Sequence, residues 1–316
     1  MNVDPFDLAS LLSLRELIGS VGRGGLPELS ALAPIPQARS IAILPGSFNP
    51  PTAAHVLLAE RALSEGFDRV VYAYARSTVG KRPNGLIPED RMLAVRAAAT
   101  EAGMSIAVCS HGLYADLAEA AAAAFGEVEL SFLVGSDKVI QIFEERWYEN
   151  REAALDRLFS RARLVVAPRA DQGERLKVVL RAPENRRFSD RVDILRLHPA
   201  VSDLSSTRVR GLLRSGADPT GLLPQSVADV LVSVRAFAAP EVVDGEEVDA
   251  YHVRAQLVDA FWRWRGNDAT GATASIDLCS LWRAAVAPGE NGKRLRALIV
   301  NGSLDEDVLH AAAAAG

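Results

Sequence analysis

Cysteine is scarce in this chain, and its scarcity excludes two kinds of site. The two cysteines of the 316 residues, Cys109 and Cys279, lie in apolar or helical stretches without the spacing of metal ligands. Since a disulfide framework or a cysteine-based metal site needs a closer pattern of thiols, we expect two buried thiols in a reducing compartment. Stability then has to come from a packed core, which the chain length and the 49% hydrophobic content allow.

Long apolar runs and a secretory leader are also lacking. No segment reaches the roughly 18 apolar residues that a membrane span needs. Residues 1–25 carry Asp4, Asp7 and Glu16, and they lack the basic start and unbroken apolar run of a signal peptide. We therefore expect a cytoplasmic protein that does not associate with a membrane.

An excess of positive charge is lacking as well. The formal net charge is −5, and no long block of lysine and arginine stands out. A non-specific electrostatic grip on nucleic acid needs such a basic surface, so we expect no nucleic-acid partner. Small molecules remain as partners, and the sequence leaves a homo-oligomer open.

What the chain does contain is a regular alternation of short β-branched runs and amphipathic stretches from residue 39 onward. Short apolar runs between helices are typical of parallel strands covered on both faces, so the sequence predicts an α/β fold with a doubly wound parallel sheet. The predicted strands are Ser40–Leu44, Val70–Tyr74, Ser105–Val108, Leu130–Val134, Arg163–Ala167 and Val192–Leu195. The predicted helices are Ala53–Glu65, Glu89–Ala102, Ala115–Ala124, Asp137–Phe143, Arg151–Ser160, Gly173–Leu180, Thr207–Ser215 and Gln225–Ala236.

Three stretches differ in composition, and we predict the domain organisation from them. Residues 1–38 combine one amphipathic helix with a connector rich in glycine and proline. Residues 39–238 form the α/β domain. Residues 239–316 begin with an acidic linker, Pro240–Asp249, and continue as a helical extension with three tryptophans as packing anchors, Trp262, Trp264 and Trp282.

The most informative segment runs from Gly46 to His55, directly after the first predicted strand. Gly46 and Ser47 let a ligand approach the backbone closely, and Phe48 is expected to pack beneath the turn. Thr52 has the chemistry of a helix cap. Side chains on a helix lean toward its N-terminus, so His55 points back over the cap, where the helix dipole favours anions. Open α/β sheets bind phosphates at such a place, although a plain cap and a core histidine are the alternative interpretation.

A second segment, Asp203–Arg210, follows the last predicted strand and opens a helix. Its three consecutive hydroxyl residues, Ser205–Thr207, can cap that helix and also donate hydrogen bonds to phosphate oxygens. Arg208 and Arg210 follow at the start of the helix, where cations oppose the helix dipole. A purely structural helix start favours acids, so these arginines indicate an anionic ligand. A hydroxyl cap followed by solvated arginines is the alternative.

Together the two segments resemble the signatures of the nucleotidylyltransferase superfamily. Thr52-Ala53-Ala54-His55 is similar to its His/Thr-x-x-His motif, and Leu204–Arg210 is similar to its Ile-Ser-Ser-Thr-x-x-Arg motif. Within the superfamily the chain looks most like the nicotinamide and nicotinate mononucleotide adenylyltransferases, over about residues 39–237. The features that indicate this branch are Gly46–Pro50, Gly85–Pro88 with Arg91 in the next turn, Phe132–Asp137, Trp147 and Leu222–Pro224.

The resemblance implies a Rossmann-like nucleotidylyltransferase fold and adenylyl transfer from ATP to a phosphorylated acceptor, nicotinamide or nicotinate mononucleotide. The residues implied to be catalytic are His55, Thr52, Arg210 and, on the loop after the second strand, Lys81. The residues implied to bind ATP are Gly46, Ser47, Phe48, Ser205, Ser206 and Thr207, and those implied to bind the mononucleotide are Asp137 and Trp147. Mg²⁺ would enter with ATP, held by phosphates and waters rather than by a dedicated protein cluster.

Some features leave alternatives open. Many members of the family have glycine where Ala54 stands, and only Tyr114 is a candidate for a second aromatic residue near the nicotinamide ring. The same chemistry on another acceptor, such as phosphopantetheine or a cytidylyltransferase substrate, is one alternative. A nucleotide-binding regulator without turnover is another, because the helical extension is long. Taken singly, Lys81 is compatible with a solvated loop residue, Asp137 with a helix cap and Trp147 with a core residue.

Overall fold

A central sheet of seven strands organises the molecule. The computed structural model describes residues 4–76, 85–168, 172–196, 204–265 and 276–301. The strands are β1 (Leu29–Ala31), β2 (Ser40–Gly46), β3 (Arg69–Ala75), β4 (Ser105–Cys109), β5 (Glu129–Gly135), β6 (Ala162–Ala167) and β7 (Val192–Ile194). Their spatial order is β1-β4-β3-β2-β5-β6-β7, and neighbours are parallel except for β1, which runs antiparallel to β4. The prediction of a parallel α/β sheet is confirmed.

Helices cover both faces of this sheet. They are α1 (Leu8–Ser20), α2 (Ala53–Ser64), α3 (Pro88–Glu101), α4 (Tyr114–Phe125), α5 (Ser136–Ile142), α6 (Arg151–Arg161), α7 (Gly173–Arg181), α8 (Ser206–Arg214), α9 (Gln225–Ser233), α10 (Ala250–Arg265), α11 (Leu278–Val286) and α12 (Glu290–Asn301). The hydrophobic core on one face joins the sheet to α1 to α3 and α8 to α12, and the core on the other face joins it to α4 to α7. Helices on both faces are what makes the sheet doubly wound.

Strand β2 shows why an unbroken apolar run becomes a central strand. Its side chains alternate between the two faces, because Ile41 and Ile43 enter one core while Ala42 and Leu44 enter the other. All four are buried. A strand covered on both faces has no solvent side, so its sequence lacks the polar alternation of a surface strand.

The order of the strands reverses at β2. From β2 the chain winds outward through β3 to β4, and it then returns to place β5 on the other side of β2. The connections that follow β2 and β5 therefore diverge and leave a crevice between them. Residues 47–52, which join β2 to α2, lie at this crevice, so the topology itself prepares a ligand site there.

The segment between the α/β domain and the last helices contains regular secondary structure. Within Pro240–Asp249, strands β8 (Glu241–Val243) and β9 (Glu246–Val248) form an antiparallel hairpin. Asp244 and Gly245 make its turn with positive φ angles of 52° and 82°. Asp-Gly is a preferred pair for a two-residue hairpin turn. The sequence prediction followed the acidic composition of this segment and missed the turn.

Residues outside the predicted α/β domain belong to the hydrophobic core that covers one face of the sheet. Leu11 of α1 and Leu257 of α10 are both fully buried there. Trp282 of α11 joins them, since its ring centroid lies 5.1 Å from that of Phe6 and its Nε1 donates to the carbonyl oxygen of Ala250 at 2.8 Å. The helical character of the C-terminal region is confirmed. The division into three parts stays a prediction, and one hydrophobic core crosses its boundaries.

Both cysteines are free thiols. Cys109 is buried and Cys279 is half-buried. Burial raises the pKa of the Cys109 thiol to about 12, so it is protonated near neutral pH. Within the described parts of the chain, no helix is both long and apolar enough to pass through a bilayer.

Gly22 lies where the connector after α1 passes the end of β4, and its φ is +76°. A Cβ atom there would stand 2.3 Å from the Cβ atom of Ser110. We predict that Gly22→Ala lowers the free energy of unfolding by about 2–4 kcal/mol, because the methyl group clashes and alanine is strained at this φ. Urea unfolding followed by circular dichroism measures the change.

Gly24→Ala is the matched control for this substitution, because a Cβ atom at Gly24 meets open space. We expect its unfolding midpoint to stay at the wild-type value or rise slightly. Equal midpoints for the two variants would contradict the clash at Ser110.

Candidate active site

A cavity of about 890 Å³ opens at the carboxyl ends of the parallel strands. Its walls come from the ends of β2, β3, β5 and β6 and from the first turns of α2, α3, α5 and α8. It lies where the strand order reverses, which is where open α/β sheets bind ligands. Its volume is in the range of small-molecule and cofactor sites. This cavity is therefore the candidate active site.

The structure brings most of the sequence-predicted site residues to this cavity. Those that line it are Gly46, Ser47, Phe48, His55, Asp137, Trp147, Ser205, Ser206, Thr207 and Arg210. Thr52 is fully buried and does not line the cavity. Lys81 lies outside the described residues. The imidazole of His55 and the guanidinium of Arg210 thus share one cleft, although they are far apart in the sequence.

Helix α8 is fastened to the loop after β2 by two hydrogen bonds to successive carbonyl oxygens. The hydroxyl of Ser206 donates to the carbonyl oxygen of Pro50 at 2.8 Å, and Nη1 of Arg210 donates to that of Asn49 at 2.7 Å. Nη2 of Arg210 also lies 3.3 Å from the hydroxyl of Thr207. These contacts place the N-terminus of α8, with its partial positive charge, against the turn that begins the site.

His55 is held by the residue that caps its helix. Its Nδ1 accepts the backbone N–H of Thr52 at 2.9 Å and lies 2.8 Å from the hydroxyl of the same residue. Because a nitrogen that accepts a backbone N–H carries no proton, the proton of the neutral ring sits on Nε2. Thr52 therefore orients His55 from its buried side, and the catalytic role that the resemblance implies for Thr52 stays a prediction.

Phe48 packs beneath the turn, as the sequence predicts. Its side chain is only 2% exposed, and its ring stands edge-on to the His55 ring with the centroids 5.4 Å apart. A Cβ atom at Gly46 would come within 3.0 Å of the Phe48 ring. The glycine therefore makes room for the aromatic ring that supports His55.

Positive charge dominates the cavity wall. Besides Arg210, the cations that line it are Arg76, Arg91 and Lys138, whereas Asp137 is the carboxylate found among the described lining residues. Burial lowers the pKa of Arg210, and the neighbouring positive charges of Arg214 and Arg91 lower it further. A site whose cations repel one another in this way favours an anionic ligand.

The sequence prediction did not include Arg76, Lys138 and His111 as lining residues. Arg76 directly follows β3, His111 follows β4 by two residues, and Lys138 lies in the first turn after β5. Their position just beyond the carboxyl ends of predicted parallel strands is the signal that could have identified them.

Aromatic side chains line another part of the cavity. Nε1 of Trp147 donates to Glu144 at 2.9 Å, and the guanidinium of Arg146 lies 4.6 Å from the centroid of the Trp147 ring, so both contacts fix its plane. Tyr148 lines the same cavity and donates its hydroxyl to a main-chain carbonyl oxygen at 2.8 Å. Tyr114, the candidate second aromatic residue, lines it as well. The site therefore offers aromatic surface beside its cationic surface.

Two curated proteins are similar to this chain over 62% and 63% of its length. A protein of Geobacter sulfurreducens, whose name describes a nicotinate-nucleotide adenylyltransferase, is 28% identical over 216 residues that cover 62% of this chain and 97% of that protein. A protein of Schizosaccharomyces pombe, whose name describes a nicotinamide mononucleotide adenylyltransferase, is 24% identical over 217 residues, or 63% of this chain and 86% of that protein.

Solved structures give similarities of the same extent. The Plasmodium falciparum nicotinic acid mononucleotide adenylyltransferase, solved with NaAD, has a TM-score of 0.47 at 14% identity and covers 62% of this chain and 96% of its own. A nicotinate-nucleotide adenylyltransferase structure from Vibrio parahaemolyticus has a TM-score of 0.41 at 17% identity, with 62% of this chain and 94% of its own covered.

A match to a described protein family identifies the family of this chain. Residues 43–212 match the cytidylyltransferase-like family, which is more than half of the chain. The matched region begins within β2 and ends within α8, so it contains both segments that meet at the cavity. The chain belongs to the cytidylyltransferase-like family and is a nucleotidyltransferase.

Proposed function

We propose that the chain transfers the adenylyl group of ATP to nicotinate or nicotinamide mononucleotide, forming the dinucleotide and pyrophosphate. The observation that carries this proposal is the shared cavity of His55, the N-terminus of α8 and Arg210, next to an aromatic wall. The cationic part suits a triphosphate, and the aromatic part suits a planar base. The names of the similar proteins point to the same two acceptors.

The reaction needs position and charge more than acid–base chemistry. The 5′-phosphate of the mononucleotide attacks the α-phosphorus of ATP, a new P–O bond forms, and the bond to pyrophosphate breaks. The attacking phosphate is already an anion at neutral pH, so no general base has to remove a proton. Holding the two phosphates in line and stabilising the charge that builds on the leaving side then account for the catalysis.

His55 is the group assigned to that developing charge. With Nδ1 occupied by Thr52, the Nε2–H group is the donor of the ring. It would donate to a phosphate oxygen and strengthen that bond as negative charge accumulates there. Phe48 and Thr52 keep the ring from turning, so little reorganisation is needed during the reaction.

Arg210 and the first turn of α8 are assigned to the β- and γ-phosphates. The hydroxyl of Ser206 is engaged with Pro50, so the main-chain N–H groups at the helix start become the main donors of this turn. Two nitrogens of Arg210 hold Asn49 and Thr207, while its buried Nε has no hydrogen-bond partner among the described residues. The guanidinium thus supplies a fixed positive charge beside the phosphates.

Mg²⁺ is assigned as the companion of ATP. The described lining residues offer one carboxylate, Asp137, and several hydroxyls, and the described residues hold no cluster of three or more metal-ligating side chains. This donor set fits a hard cation held mostly by phosphate oxygens and waters. When bound, the ion neutralises charge on the triphosphate. Asp137 is assigned either to a water of that ion or to a ribose hydroxyl.

We predict that the purified protein releases pyrophosphate from ATP in the presence of nicotinate or nicotinamide mononucleotide, and that His55→Ala lowers kcat about 100-fold to 1,000-fold. A fall in kcat of this size is expected when one hydrogen-bond donor to the developing negative charge is lost. The measurement is a coupled pyrophosphate assay with a panel of acceptors that includes phosphopantetheine. His252→Ala, which removes an exposed imidazole from α10, is the matched control and should keep full activity. Release from neither mononucleotide above the His55→Ala background would refute the assignment.

Trp147→Ala should raise KM for the mononucleotide about tenfold or more and leave KM for ATP within about twofold, because stacking on one base contributes about 1–3 kcal/mol. Steady-state kinetics with each substrate varied in turn separates the two constants. Trp147→Phe keeps an aromatic face and should recover most of the affinity. A parallel rise of both KM values would mean that Trp147 supports the fold instead of the acceptor.

Arg210→Lys should lower kcat/KM for ATP about 10-fold to 100-fold. Lysine keeps the charge but cannot bond Asn49 and Thr207 at the same time. Arg208→Lys is the control in the same helical turn, because Arg208 is exposed and does not line the cavity. Similar kcat/KM values for the two variants would show that charge alone suffices at residue 210.

A further inference from the structure

A fully buried ion pair joins the C-terminal extension to the start of α3. Arg254 of α10 is 0% exposed, and its guanidinium nitrogens lie 3.0 and 3.1 Å from the two carboxylate oxygens of Asp90. Asp90 is 1% exposed. Removing two charges from water is costly unless good geometry and further hydrogen bonds compensate. A pair buried this completely therefore holds α10 and α3 in one specific arrangement.

Tyr251 extends this contact to the main chain at the start of α3. Its hydroxyl accepts the backbone N–H of Ile87 at 2.8 Å and donates to Asp90 at 2.9 Å. Ile87 is the N-cap residue of α3 and has no side-chain oxygen that could cap the helix. The extension therefore satisfies polar groups at a helix start that its own sequence leaves without a cap.

The same turn of α3 is held from a second side. Arg15 of α1 bonds Glu89, which is 1% exposed, and also reaches Asp259 of α10 at 3.1 Å. The guanidinium of Arg15 stands 5.6 Å from the ring centroid of Trp262. The two acids in the first turn of α3 are thus paired with two arginines. One precedes the family match at residues 43–212 and the other follows it.

From this turn, contacts continue into the cavity. The backbone N–H of Leu86 donates to Oδ1 of Asn49 at 3.0 Å, and Nε of Arg91 donates to the carbonyl oxygen of Leu86 at 2.8 Å. Asn49 is also the residue whose carbonyl oxygen receives Arg210. Leu86, Ile87 and Arg91 themselves line the cavity. A continuous series of contacts therefore runs from Tyr251 to the residues assigned to phosphate.

We propose that Tyr251 and Arg254 are positioning residues for the cavity. They hold residues 85–88 and Arg91 in place, and these residues in turn hold Asn49, which binds Arg210. The inference rests on the proposed function only in naming a triphosphate as the anion of this site. The family match ends at residue 212, so these two residues lie outside it. The extension is then a part of the catalytic apparatus that relatives without it must replace by other contacts.

The test compares Tyr251→Phe with Trp282→Phe in the full chain. The first substitution removes the hydroxyl between Ile87 and Asp90, and the second removes a buried donor to the carbonyl oxygen of Ala250 within the same extension. Three measurements are made: hydrogen exchange of a peptide covering residues 86–91, calorimetric binding of inorganic tripolyphosphate, and kcat/KM for ATP.

For Tyr251→Phe we expect exchange at the Ile87 amide to rise about tenfold, and tripolyphosphate affinity and kcat/KM to fall about tenfold, as loss of a buried hydrogen bond at the site predicts. Trp282→Phe should leave the exchange rate, the tripolyphosphate affinity and kcat/KM within about twofold of the wild type. We expect this even if its unfolding midpoint falls as much as that of Tyr251→Phe. The inference is overturned if the two variants have the same tripolyphosphate affinity and the same exchange at Ile87.

Arg254→Lys provides a second, independent variant, because it keeps the buried charge and loses the paired geometry. It should shift the three measurements in the same direction as Tyr251→Phe, and unchanged values would count against the inference.

Failure of the proposed function would give a different set of results. In that case the wild type makes no dinucleotide, while tripolyphosphate binding still weakens in Tyr251→Phe and not in Trp282→Phe.

Discussion

Two successive main-chain carbonyl oxygens hold the site together. Those of Asn49 and Pro50 receive the side chains of Arg210 and Ser206, which arrive on a helix far along the chain. Buried carbonyl groups need partners, so this docking satisfies the loop and the helix at once. Because the helix start is fastened there, its first residues and Arg210 line the same cavity as His55. Without these two hydrogen bonds, the start of α8 and the residues around His55 would not be held in one site.

Residues that line the cavity are held by others that do not touch it. Thr52 orients His55 from its buried side. The extension acts in the same way at larger scale, because Tyr251 and Arg254 contact the first turn of α3 and not the cavity itself. A rigid support of this kind explains how a site built on loops keeps its geometry. The flanking segments also share a hydrophobic core with one face of the sheet.

Patterns within short stretches of sequence predicted the strands and turns that such stretches form by themselves. The apolar run of β2 and the turn that follows it were predicted from the residues themselves. The resemblance, and not a local pattern, implied that the two motif segments both bind ATP. Strand β1 was missed, because three residues between prolines and glycines carry too little pattern to be recognised. The pairing of Arg254 with Asp90 could not be predicted, since acids in the first turn of a helix are ordinary at a solvated helix start.

The two edge strands of the sheet have a further consequence. Both β1 and β7 are three residues long, so each outer edge offers only a few unpaired N–H and C=O groups. A long bare edge is a template on which another copy can add a strand, and short edges are one of the ways in which proteins prevent this. The architecture therefore limits edge-to-edge pairing between copies of a folded sheet whose central strands are strongly apolar.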